Sequence, residues 1–110
     1  MIKIDVVLDK EDILMSCGIS GHSESAPKGS DLVCAAVSVL AVAAERTFSG
    51  NSGIKLASEA PERGVFLLQT APETLEGKTF LKAAGEFFLQ GLSSVAEAYP
   101  DNCSIAIRRI

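Results

Sequence analysis

Between Leu32 and Ala44 the chain reads LVCAAVSVLAVAA, thirteen residues with one hydroxyl and no charge. A run of that length suits a helix better than a strand, and it begins after the loop-forming APKGS, with Asp31 as the opening residue. We expect this helix to run from Asp31 to about Thr47. Its apolar positions nearly encircle the axis, so it needs cover on more than one side. One cover is a sheet, and the other is available to a partner subunit. The run is too short to span a bilayer, which takes ~20 apolar residues.

The flanking sequence supplies the sheet. IKIDVVL at residues 2–8 alternates apolar and polar residues, with Ile2, Ile4 and Val6 on one face, and ILMSCGIS at 13–20 is a second strand close enough to pair with the first. FSGNSG at 48–53 is a turn. Residues 54–60 and 65–70 read as a hairpin joined by Pro61-Glu62-Arg63-Gly64. Residues 71–77 read as a connection, and Lys78 to Tyr99 as a second helix with Leu81, Phe88, Leu92 and Val95 at helical spacing. Pro100 and Asp101-Asn102 stop that helix, and residues 103–110 alternate as a last strand. The order ββαββαβ points to a single α+β domain over residues 1–110. Its mixed, mostly antiparallel sheet would carry both helices on one face.

Composition excludes several functions. A formal net charge of −4 disfavours nucleic-acid binding, which needs clustered lysine and arginine, and makes a basic partner easier to accommodate. Salt-sensitive RNA binding is therefore the weakest of the readings. The opening MIKIDVVLDK alternates instead of forming a signal-peptide core, and the expected location is the cytoplasm, with no membrane partner. Cys17, Cys34 and Cys103 are an odd set without CxxC spacing, so neither a disulfide framework nor a zinc site is expected. A metal site from His22, Cys34 and Cys17 would lack a fourth ligand, and no cofactor is expected.

The chemistry that remains lies in GHSESAPKGSDLVC, residues 21–34. With Asp31 as the N-cap, Cys34 falls at the third helical position, where unpaired amides and the helix dipole favour a thiolate. His22, the only histidine, is the one side chain suited to exchange its proton near neutral pH. The loop between them is long enough to fold back, and Gly21, Gly29 and Ser30 ease the reversal while Pro27 stiffens it. Amides at the helix start, that of Cys34 included, could hold an oxyanion. Two readings of Asp31 stand: a helix cap, or a third member orienting His22. Ser38, one turn beyond Cys34, either bonds near the thiol or bonds back to the carbonyl of residue 34. Against all of this, free cysteine is among the most buried residue types, and VCAAV also describes a small core hydrophobe. Cys17 and Cys103, inside expected strands, are read as core. Arg108 and Arg109, adjacent on a strand, point to opposite faces and read as solvated charges.

Gly21-His22, the loop ending Gly29-Ser30-Asp31, and Leu32-Val33-Cys34-Ala35 with Ser38 resemble the motif of the ribosomal-processing cysteine protease family Prp. The spacing from His22 to Cys34 fits, and length and element order extend the resemblance over the whole chain. It implies a homodimeric cytoplasmic cysteine endopeptidase that removes a short N-terminal extension from large-subunit ribosomal protein twenty-seven. Cys34 would be the nucleophile, His22 the base, and residues 23–30 a segment that orders around the precursor peptide. Ser23 stands where the family usually has alanine, and Pro27 stands in a loop expected to move. The competing reading is a non-catalytic ribosome-associated or assembly module with structural His22 and Cys34.

Overall fold

The structure is a computed structural model that describes residues 1–21 and 30–110, and of Ser30 and Asp31 the backbone alone. Its elements are β1 (Ile2–Leu8), β2 (Leu14–Ser20), α1 (Ser30–Ser49), β3 (Ile54–Glu59), β4 (Val65–Pro72), α2 (Leu75–Ala98) and β5 (Cys103–Arg109). The strands form one sheet in the order β3-β4-β2-β1-β5. Three of the pairings are antiparallel, and β1 with β5 is parallel. The expected α+β order and mixed sheet are thus observed. The parallel pair arises because α2 carries the chain back across the sheet before β5 begins, as a crossover must.

Period-two alternation decides which face is covered. In β1, Ile2, Ile4, Val6 and Leu8 are buried while Lys3 and Asp5 are exposed. Register carries the same face across the sheet: Val6 is opposite Cys17, and Cys17 opposite Leu68. Both helices close this face with Val33, Val37, Ala41 and Phe48 of α1 and Leu81, Phe88 and Leu92 of α2. Each fully buried leucine or phenylalanine contributes about 1.5–3 kcal/mol. The opposite face carries no helix and exposes Lys3, Asp5, Leu67, Gln69 and Arg108. Arg109, on the other side of its strand from Arg108, pairs with Asp12 at the surface, where such pairs add little.

The boundaries of both helices differ from expectation. α2 begins at Leu75 rather than Lys78, because Thr74 caps it with a hydroxyl that accepts from the Gly77 amide at 2.9 Å. Gly77 suggested a loop; instead it is helical, and its role is clearance. A Cβ there would stand 1.9 Å from the Gly53 carbonyl oxygen, so the turn before β3 packs directly on the first turn of α2. α1 begins at Ser30, one residue earlier than expected, and ends at Ser49. The buried Thr70 hydroxyl donates to the Leu14 carbonyl at 2.9 Å, and among the described residues no buried side-chain polar atom lacks a partner.

Candidate active site

The last residue of β2, Ser20, pairs with Val65 at the start of β4. That register brings the end of the second strand beside the β3–β4 loop, residues far apart in sequence. Gly21 then donates its N–H to the Gly64 carbonyl at 2.9 Å. It holds φ +106°, and a Cβ on it would lie 2.2 Å from the Met1 carbonyl oxygen. Glycine is required here twice over, by the left-handed backbone and by the contact. Gly21, which precedes His22 in sequence, is thus held in place by Met1 and Gly64.

α1 lies over this end of the sheet and turns Cys34, Ser38 and Val42 toward the same place. Between α1 and the β3–β4 hairpin runs a groove of ≈ 710 Å³, lined by Cys34 and Ser38 on one side and Gly21 and the Glu62–Gly64 loop on the other. Val37, Ile19 and Phe66 form part of its apolar floor. Cys34 is half-buried, with its inner side packed against the core, whereas Cys17 and Cys103 are buried within the sheet. None of the three is in a disulfide.

The thiols inside the sheet are chemically quiet. Burial, with the Asp5 charge adding to it, pushes Cys17 up to about 12, and burial also raises Cys103. Both stay protonated at neutral pH, which agrees with their reading as core residues.

One part of the local argument is corrected. Because α1 starts at Ser30, Asp31 is its second residue and Cys34 its fifth. Asp31 therefore does not occupy the capping position, which precedes it. Cys34 stands a full turn inside the helix, beyond the amides that lack intrahelical partners and beyond most of the dipole effect. What distinguishes Cys34 from the other thiols is its place on the groove. Ser38 is exposed and lines the groove one turn further on. His22, Ser23, Pro27 and Gly29 lie outside the described residues, as do the side chains of Ser30 and Asp31.

The wall formed by Glu62, Arg63 and Gly64 was not found from the sequence. PERG signals a turn, but only the pairing of β2 with β4 puts that turn opposite Cys34. Among the described residues no three His, Cys, Asp or Glu side chains converge as metal ligands would. The groove can accept an extended peptide, with polar groups along the loop wall and apolar residues beneath.

The family described as Cysteine protease Prp matches residues 1–104. The chain belongs to that family, and it is a cysteine protease. Solved structures agree in fold. A complex of an essential ribosomal processing protease Prp from S. aureus with a substrate peptide superposes with a TM-score of 0.83 at 17% identity, covering 98% of this chain and 100% of that one. SMU.848 from Streptococcus mutans gives a TM-score of 0.79 at 25% identity, covering 100% and 96%. The S. aureus protease with a covalently linked product peptide gives 0.78 at 20% identity, covering 98% and 100%. No curated protein matches.

Proposed function

We propose that this member of the Cysteine protease Prp family is a ribosomal-processing endopeptidase. Its substrate would be the precursor of large-subunit ribosomal protein twenty-seven, and it would act through a dyad of Cys34 and His22. The observation that carries the reading is the half-buried Cys34 on a groove whose far side holds Gly21, the residue covalently attached to the only histidine. The non-catalytic alternative is favoured by a Cys34 that is buried and far from His22, and the half-buried place of Cys34 on the groove speaks against the first of these.

In this mechanism the His22 imidazole takes the Cys34 proton, and the Sγ attacks the scissile carbonyl. The imidazolium returns its proton to the departing amine as the C–N bond breaks. Water, deprotonated by the same imidazole, then cleaves the thioester and regenerates the thiol. The net charge of −4 assists encounter with a basic ribosomal protein. The cytoplasmic, homodimeric state of this reading comes from the family resemblance.

The test is cleavage of a peptide bearing the ribosomal extension. Cys34→Ala should lower the rate by about 10⁴-fold or more with an unchanged circular dichroism spectrum, and His22→Gln should do nearly the same. Full activity in Cys34→Ala overturns the reading. Activity on unrelated peptides but not on the extension keeps the protease and rejects the substrate.

A further inference from the structure

We propose that Arg63 makes the groove a binding site for a carboxylate, and that the carboxylate it takes is the one cleavage creates at the end of the released N-terminal fragment. The inference rests on Cys34 as the nucleophile and is independent of which peptide is cut.

The β3–β4 loop holds the backbone of Arg63 firmly. The Val65 N–H donates to the Glu62 carbonyl at 3.1 Å, and Gly64 takes φ +82°. Residues 62–65 are thus a tight turn whose third position calls for glycine. The Gly64 carbonyl in turn accepts from the Gly21 N–H at 2.9 Å, so the turn is pinned to the end of β2 and only the Arg63 side chain is left to move. Arg63 is exposed and lines the groove across from Cys34. Among the described residues it is the one cation to do so. Its charge is also uncommitted. Lys78 pairs with Glu11 and Arg109 with Asp12, whereas among the described residues Arg63 makes no ion pair or side-chain hydrogen bond, even with the adjacent Glu62.

The chemistry at Cys34 decides what this cation meets. An intact peptide crossing the groove presents neutral amides. Attack by Sγ and departure of the amine leave the N-terminal fragment on sulfur as a thioester. Water then adds to its carbonyl, and the C–S bond breaks with its electron pair going to sulfur. The sulfur recovers one water proton as the thiol, and the fragment keeps the water oxygen as a carboxylic acid. An α-carboxyl titrates at about 3.5, so at neutral pH the second proton passes to solvent and the fragment ends in a carboxylate.

The product therefore differs from the same stretch of substrate by one negative charge, formed at Cys34 in the cavity that Arg63 lines. A planar guanidinium offers two parallel N–H bonds to the two oxygens of a carboxylate, a match that a neutral amide does not provide. The apolar floor of Ile19, Val37 and Phe66 strengthens the attraction by displacing water. Glu62, on the same wall, repels the new charge and limits how long the fragment stays. The other fragment carries a new amino terminus, gains nothing from Arg63 and leaves first. Turnover should then slow as the N-terminal fragment accumulates.

The test uses the full chain and a peptide it cleaves, either the ribosomal extension or one selected from a random library. The N-terminal product of that peptide is made as the free acid and as the C-terminal amide, and each is titrated as an inhibitor. The acid should bind about 10-fold more tightly than the amide. That preference should vanish in Arg63→Gln, survive in part in Arg63→Lys, which keeps the charge without the fork, and increase in Glu62→Gln. Each variant is compared with itself, so a general loss of groove affinity divides out of the ratio. Equal binding of acid and amide to wild type, or a preference unchanged in Arg63→Gln, overturns the proposal. An amidated peptide with aspartate at its last position that binds as tightly as the acid moves the carboxylate to a side chain and overturns the product assignment. Full cleavage by Cys34→Ala would instead remove the nucleophile on which the proposal rests, a failure read from a different variant and a different measurement.

Discussion

Cys17 and Cys34 are the same chemical group in two different solvents. Cys17 lies in β2 between Val6 and Leu68, 1% exposed, and its thiol is pushed up to about 12. Cys34 lies on the flank of α1, with one side in the core and the other on a groove. Reactivity in this fold follows from which face of an element a cysteine occupies, and both elements were expected to be largely apolar.

The largest test of that contrast is alkylation with iodoacetamide at pH 8. Native protein should acquire one adduct, at Cys34, at a rate about 10³-fold above that of Cys17, whose modification waits for opening of the sheet. Equal rates at the two thiols, read by peptide mass, would erase the comparison. Gly21→Ala probes the groove end from the other side. Its methyl group meets the Met1 carbonyl in a backbone conformation that alanine resists, so thermal unfolding should register a loss of about 1–3 kcal/mol, with peptide cleavage falling further than the stability change explains. Next, Cys17→Ser introduces a buried hydroxyl and should cost about 1–3 kcal/mol. Cys34→Ser should stay within about 0.5 kcal/mol. A reversal of that order in denaturant titrations would place Cys34, not Cys17, in the core. The smallest effect is that of pH. Cys17 titrates near 9.0 when unfolded and near 12 when folded, so the unfolded chain binds fewer protons between those values. Its contribution is complete below pH 9.0 and is lost as pH climbs toward 12. Cys17→Ala should flatten the wild-type decline in that window.

How far these environments were legible varies residue by residue. The strand alternation of IKIDVVL placed Ile4 and Val6 inward, and the structure buries them at 1% exposure each. Gly77 was misread, because a glycine's local signal is a loop and its reason for being in a helix is a carbonyl more than twenty residues away. With Ser30 already helical, where Asp31 was expected to be the cap, Cys34 moves two positions, from the third helical residue to the fifth and so from the first turn to the second. Boundary shifts of that size are ordinary, but here they change the physical account of the thiol. The exposed side of α1 was foreseeable from the near-encircling apolar run, and Leu32 and Val39 bear out the surplus.

What the amino-acid order determined by itself was the set of elements, their inward faces and the local succession of glycine, histidine, loop and cysteine. These depend on periodicities of two and 3.6 and on turn chemistry, all of which act within a few residues. Only the tertiary structure decided that Gly64 would hold Gly21, that the Glu62–Gly64 loop would face Cys34, and that Cys17 would be sealed while Cys34 reached a groove. Those outcomes depend on strand order and register. Both are set by long-range burial and by the hydrogen bonds that burial obliges the backbone to make.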